Sequence, residues 1–384
     1  MKAAGIIAEY NPFHNGHAFH LAKCAELTDR ERVVAVMSGD YVQRGGPAIV
    51  GKSLRTEMAL RSGVNVVLGL PAVFSLAGAE RFAFAAVCSL DATNAVDSLC
   101  FGSEEPGMEK IEYAAELLIS EPPEFKSALK ERLDGGAGFA TARHAAANRV
   151  AGTELPLRRP NEILAVEYVK ALKKLKSPIR PFASPRIDAS ATEARESALN
   201  GRYDDLEHMM PGHCVEILKR APRFTDIDDF SPFLHYALTM GVTYDVMEDS
   251  EGLLNRIKSA SKSNYLISDV VRGAASKRYT DARIRRVIMY TILGVTREFF
   301  GRYGGRPPYL RVLGFNERGG DVLRAIVKGS SVPVVINVRK DLDRLRRENP
   351  AAADMLELDM RASELYAAAS RAPGNEFKYE VVVV

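Results

Sequence analysis

Near its start the chain reads Ala3-Ala4-Gly5-Ile6-Ile7-Ala8-Glu9-Tyr10-Asn11-Pro12-Phe13-His14-Asn15-Gly16-His17. An apolar, strand-like run stops at Glu9, a short turn follows, and a helical pattern begins at Asn15. The His-x-Gly-His tetrapeptide therefore sits where a helix starts. A helix N-terminus leaves backbone N–H groups unpaired and carries partial positive charge, so it attracts phosphate. Two imidazoles there can donate hydrogen bonds to phosphate oxygens, and Gly16 lets an anion approach the backbone closely. These are the parts of a nucleotidyl-transfer site, where charge must be held as pyrophosphate is displaced. Four residues alone also arise by chance in a polar turn. Their position after a first strand gives them weight, because open α/β sheets take ligands at the carboxyl ends of their strands.

Working outward, strand-like runs recur at residues 3–8, 32–37, 65–70 and 98–101, with helical patterns at 15–27, 52–61 and 76–92. That alternation predicts βαβ units and a parallel sheet covered on both faces. Right-handed crossovers bring Ala8, Met37, Leu70 and Phe101 to one edge. After Pro106 the pattern turns helical. Pro160-Asn161-Glu162 opens a periodic helix, a short strand is expected at 178–182, and Ser190 begins a capped helix with Glu193 three residues on. A boundary near residue 205 divides the chain into 1–205, an α/β Rossmann-like parallel-sheet nucleotidyltransferase domain, and 206–384, a mainly helical, basic C-terminal region. Within the latter, strand-like pieces appear at 309–314 and 332–337, and 379–384 reads as either a strand edge or a tail.

The 384 residues suffice for two or three cores. Cys24, Cys88, Cys100 and Cys214 have no metal-ligand spacing and read as reduced buried thiols. The longest apolar stretch is broken by Asn65, glycines and Pro71, so no membrane span is expected and a cytoplasmic location is. The net charge of +3 is unevenly spread. Residues 272–347 hold 18 Lys or Arg against 6 Asp or Glu, an excess of +12, which leaves −9 elsewhere. A basic C-terminal half predicts a polyanionic partner such as nucleic acid.

A second motif accompanies the first. Ser190, Thr192 and Arg195 resemble the SxTxxR pattern paired with HxGH in nucleotidyltransferases related to class I aminoacyl-tRNA synthetases; alone, it reads only as a capped helix. The stretch from Gly5 to His17, with Met37-Ser38-Gly39-Asp40-Tyr41-Val42-Gln43-Arg44-Gly45, Phe101-Gly102-Ser103-Glu104, Pro160-Asn161-Glu162-Ile163-Leu164, the arginine-rich block from Arg278 to Arg286 and Leu310-Arg311-Val312-Leu313-Gly314-Phe315, resembles the bacterial tRNA(Met) cytidine acetate ligase family. The resemblance implies two steps: acetate and ATP form acetyl-adenylate, and the N4 amine of the wobble cytidine of elongator tRNA(Met) then takes the acetyl group. It also implies catalytic roles for His14 and His17, and an ATP site built from Ile7, Ala8, Glu9, Tyr10, Asn11, Pro12, Phe13, His14, Asn15, Gly16, His17, Ala18, Phe19 and His20, completed by Gly102, Asn161 and Arg186. Mg2+ is expected with the triphosphate. Asp40, Lys52 and Arg44 are weaker candidates, each equally readable as a turn or surface residue. The chain departs from the family pattern between Arg186 and Ser190, where only Ile187-Asp188-Ala189 intervene and a glycine-rich loop is expected to be longer.

Two other readings use the same residues. An adenylyltransferase for a small phosphorylated metabolite needs no basic second half. A non-catalytic, ATP-sensing RNA-binding protein has no need to keep His14, Gly16 and His17.

Overall fold

The strand-like runs assemble into one sheet in a computed structural model, which describes residues 2–104, 107–187, 190–242, 244–250, 252–276, 278–372, 374 and 376–384. The strands are β1 (Ala3–Ala8), β2 (Val33–Ser38), the short β3 (Tyr41–Val42) and β4 (Gly46–Pro47), β5 (Val66–Leu70), β6 (Val96–Ser103), β7 (Arg180–Pro185), β8 (Leu310–Phe315), β9 (Val334–Val335) and β10 (Val382–Val383). The main sheet runs β10-β8-β5-β2-β1-β6-β7, with β9 beside β8. From β5 to β7 all pairings are parallel; β8 joins β5 antiparallel. Every residue of β2 is buried, as a strand covered on both faces requires. On one face the helix Ala79–Ala92 packs Phe82, Ala83 and Val87 into a core shared with the helix Pro160–Leu175. On the other face α1 (Asn15–Thr28) and α2 (Lys52–Arg61) supply Leu21, Cys24, Met58 and Leu60. All four cysteines are buried and free.

Several bounds move for local reasons. The expected helix 76–92 becomes Ala72–Ser75 and Ala79–Ala92, because Gly78 sits between them with its N–H on Glu248 Oε1 at 3.0 Å. β7 extends to Pro185, where it still pairs with Ser103. The strand expected at 332–337 shrinks to β9, because Asn337 caps the helix Val338–Glu348 by accepting from Lys340 N. The end of the chain, left open between strand and tail, pairs with β8 through Val382 and Val383.

The proposed boundary at 205 lies inside the helix Tyr203–Met209. The region beyond it is mainly helical, yet it returns three strands to the first half's sheet. A division there does not separate two sheets. No helix among the described residues is long and apolar enough to cross a membrane.

The second half also anchors the loop after β2. Lys52 Nζ lies 3.1 Å from Asp40 Oδ2 and 2.9 Å from Glu376 Oε2, all three side chains buried. Ser363 Oγ bridges Lys52 and Asp40, Arg311 pairs with Glu376 and Asp359, and Tyr41 donates to the carbonyl of Ala362 at 2.7 Å. Burial raises the Asp40 carboxyl, but Lys52 and its N–H outweigh that and hold it below the ordinary value. Asp40 and Lys52, weak candidates for the site, thus belong to a buried ion cluster. Replacing Lys52 by methionine leaves the buried Asp40 carboxylate without its paired cation and Glu376 with Arg311 alone, and is expected to cost about 3–5 kcal/mol, read as a lowered midpoint in urea unfolding.

Candidate active site

β1 ends at Ala8, and the next six residues turn the chain into α1. Tyr10 takes a left-handed φ of 46°, and the Asn11–Pro12 bond is cis. Asn11 Oδ1 accepts from Ile49 N at 2.8 Å, and Arg195 donates to the Asn11 carbonyl at 2.8 Å. Below the turn, the fully buried guanidinium of Arg55 donates to the carbonyls of Glu9 (2.7 Å), Ser38 (3.0 Å), Val50 (3.0 Å) and Gly39. One cation therefore ties the carboxyl ends of β1 and β2 together.

His14 is the N-cap of α1. Its Nδ1 accepts from Gly16 N at 3.0 Å, and His17 Nδ1 accepts from His14 N at 3.1 Å. The two rings stack with centroids 3.7 Å apart. Burial, then Arg186 and Arg195, hold His14 down at about 4. Burial and the neighbouring His14, His20 and Arg186 hold His17 well below the ordinary imidazole value, and burial lowers His20 to about 4. Both HxGH rings are neutral at pH 7 with Nδ1 as acceptor, so each carries its proton on Nε2. The backbone thus sets the tautomer, and two N–H donors remain for a ligand.

These rings line a cavity of about 220 Å³ together with Ile7, Ala8, Glu9, Tyr10, Gly16, His20, Gly102, Asn161 and Arg186. Phe82, Phe101, Leu164 and Tyr168 add apolar wall. An adjoining cavity of about 450 Å³ shares Glu9, His14, His17, Arg44, Asn161 and Arg186, and adds Asn11, Ser190, Thr192, Arg195 and Arg285. Of the expected ATP-site residues, Pro12, Phe13, Asn15, Ala18 and Phe19 line neither cavity. Phe13 is fully buried against Tyr10 and His17, and Asn15 Nδ2 donates to the His208 carbonyl at 3.0 Å. They shape the turn and helix that present the others.

The helix Pro160–Leu175 begins with Pro160 at its first position and Glu162 Oε2 accepting from Arg159 N at 3.0 Å. Asn161 is thereby free to donate to Glu104 Oε1 at 2.8 Å, and Arg186 Nε lies 3.7 Å from the same oxygen. Glu104, quoted in the sequence only as part of a block, holds two expected site residues together. A Cβ on Gly102 would stand 3.1 Å from Arg186 Cγ. Gly102→Ala is therefore expected to displace Arg186 and weaken binding of ATP, used as a probe of this cavity, several-fold in an equilibrium titration. On the far side, Ser190 Oγ accepts from Glu193 N at 3.1 Å, and Arg195 reaches Thr192 Oγ1 at 3.0 Å. Asp188 and Ala189 of the short connection lie outside the described residues. No group of three or more His, Cys, Asp or Glu side chains among the described residues is arranged to hold a metal ion.

A parallel sheet, an HxGH helix start at its carboxyl edge and a second capped helix start facing it define a nucleotidyltransferase, and the HIGH Nucleotidyl Transferase family model matches residues 1–379. The chain is 39% identical over 386 residues to the tRNA(Met) cytidine acetate ligase of Caldanaerobacter subterraneus subsp. tengcongensis, covering 95% of each. It is 36% identical over 422 residues to that of Acetivibrio thermocellus, covering 100% of each. Its fold matches the crystal structure of Thermotoga maritima TmcAL bound with alpha-thio ATP with a TM-score of 0.92 and 32% identity over 100% of both chains. The chain belongs to the tRNA(Met) cytidine acetate ligase family.

Proposed function

We propose that this protein joins acetate to N4 of the wobble cytidine of elongator tRNA(Met) at the expense of ATP. The observation that carries the reading is the pair of backbone-fixed imidazoles facing a cavity whose other wall is a second helix start with two arginines. The apolar end of the inner cavity suits the adenine, and His14, His17, Arg186 and Arg195 suit the phosphates. In the first step an acetate oxygen attacks the α-phosphorus and the bond to pyrophosphate breaks; the two Nε2–H donors hold the charge that develops. Mg2+, brought with the triphosphate, would neutralise part of its charge; no group of three or more His, Cys, Asp or Glu side chains among the described residues is arranged to hold it.

In the second step the cytidine amine attacks the acetyl carbon. The N–C bond forms, the C–O bond to AMP breaks, and the nitrogen gives up one proton. Among the described residues Glu9 is the one carboxylate lining both cavities, and its Oε1 is fixed by Gln43 N at 2.6 Å. A carboxylate is the natural acceptor for a cytosine N4–H, so Glu9 receives both the amine's hydrogen bond and its proton. The target base must be unstacked, which an anticodon loop permits at little cost.

The test is a tRNA(Met) transcript incubated with ATP, acetate and the protein. N4-acetylcytidine at the wobble position, with AMP and pyrophosphate, is expected. AMP and pyrophosphate without modified tRNA means a different acceptor, and no turnover leaves a nucleotide-sensing RNA binder.

A further inference from the structure

The outer cavity carries more positive charge than its walls neutralise. Four arginines, 44, 186, 195 and 285, line it against the carboxylates of Glu9 and Asp226. Two of the four are fixed: Arg186 sits near Glu104, and Arg195 is held by the Asn11 carbonyl and Thr192. Arg285 is different. It projects from the helix Asp281–Leu293, and its Nε is buried with no hydrogen-bond partner. Its neighbours on that helix are satisfied, Arg286 by Glu248 at 2.7 Å and Arg283 by the Ser250 hydroxyl. No carboxylate among the described residues pairs with Arg285 or with Arg44. A buried guanidinium nitrogen without an acceptor is costly; Arg32, Arg223 and Arg344 also carry one, but Arg285 alone of the four lines the basic outer cavity, where an arriving anion can meet it.

Gly45 brings Arg44 to the same wall. Its φ is +80°, and a Cβ there would lie 2.7 Å from Arg286 N and 2.9 Å from Arg285 Cβ. Only glycine lets the β3–β4 turn press this closely on the helix.

We propose that Arg44 and Arg285 form a seat for a backbone phosphate of the acceptor RNA beside the target cytidine; this rests on the ligase reading above. The triphosphate already has its own partners in the two helix starts and the two fixed arginines. A nucleotide that places its base amine at the acetyl group must leave its phosphates at the cavity mouth, and that wall belongs to the basic C-terminal half. The planar guanidinium suits a phosphate by geometry as well as charge.

The test measures two things on the full chain carrying Arg285→Ala, Arg285→Lys or Arg44→Ala. These are acetate-dependent ATP–pyrophosphate exchange, and tRNA(Met) transcript binding across a salt series. For Arg285→Ala, KM for ATP in exchange is expected to stay the same, which also reports intact folding; Arg44 lines the inner cavity as well, so Arg44→Ala is read by its tRNA salt slope alone. Kd for tRNA rises roughly tenfold or more, and the slope of log affinity against log salt becomes shallower by about 0.7 for one lost single-strand phosphate contact. Arg285→Lys recovers most of the salt slope and only part of the affinity. A raised KM for ATP with an unchanged tRNA salt slope overturns the proposal and reassigns the pair to the triphosphate. No change in either measurement overturns it as well. If the wild type binds tRNA but does not acetylate it, the ligase reading fails, while the salt slope still reports on the phosphate seat.

Discussion

Replacing His17 by alanine is expected to slow acetate-dependent pyrophosphate exchange by about 10²–10³-fold, the effect of removing one preorganised donor to developing charge. The ring has two jobs. Its Nδ1 accepts from His14 N and so fixes the neighbouring imidazole, and its Nε2–H is left for the nucleotide. His17→Asn separates them, because an amide oxygen can still accept at the helix start while the far donor is gone. Thermal stability should recover in the asparagine variant and exchange should not. Recovery of exchange in His17→Asn shows instead that the ring matters only for shaping the turn. A pH effect follows from the same burial. The neutral rings resist protonation in the folded state, whereas an unfolded chain takes up protons below about pH 6.5. For His14 and His20 the contribution to stability is therefore present above that pH and is lost as pH falls toward 4; His17 acts in the same direction.

Glu9→Gln is expected to reduce acetyl transfer to tRNA by about 10²–10⁴-fold, with a much smaller effect on exchange. Glutamine keeps the size of the side chain and its hydrogen bond to Gln43 N, but cannot take a proton. Burial raises the Glu9 carboxyl above its ordinary value, against the opposing pull of Gln43 N–H and of Arg44, Arg55 and Arg195. The proton-accepting form is thus lost at a higher pH than for an exposed carboxylate. The wild-type transfer rate should fall on the acid side from that higher point, and the residual rate of Glu9→Gln should be flat there. Single-turnover acetylation from preformed acetyl-adenylate, measured across pH, checks this. Full transfer in the glutamine variant removes Glu9 from the step.

The centre of the sheet was legible because its signals are local. An apolar run followed by His-x-Gly-His states strand, turn and anion-facing helix start within fifteen residues, and the capped start at Ser190 does the same. The joining of β8 to β5 was not legible, since a short apolar run says nothing about its partner across some 240 residues of chain. The same limit hid the roles of Asp40 and Lys52: spacing put both near the site, but Glu376 and Ser363, which claim them, lie over 300 residues away. Arg55 did leave a sign. It sits one turn before Met58 and Ala59 on the buried face of α2, and a charge there must be answered by polar partners. Glu104 left none, because an acid after a strand has no distinguishing pattern.

The ties from the loop after β2 to the far end of the chain have a consequence for the timing of synthesis. Tyr41 and Ala362 are 321 residues apart, and Lys52 and Glu376 are 324 apart. At about 5–20 residues per second, a ribosome makes those partners roughly 16–64 s after the loop itself has been translated. Until then the walls of the nucleotide pocket lack the ion cluster that braces them, and for the earlier part of that time β5 has an uncovered edge and the helix that carries Arg285 is missing. The nascent chain can hold the HxGH turn long before it can close a working pocket around ATP. An enzyme that prepares a tRNA for translation is in this way kept idle until the stretch that carries Ala362 and Glu376 has itself been translated.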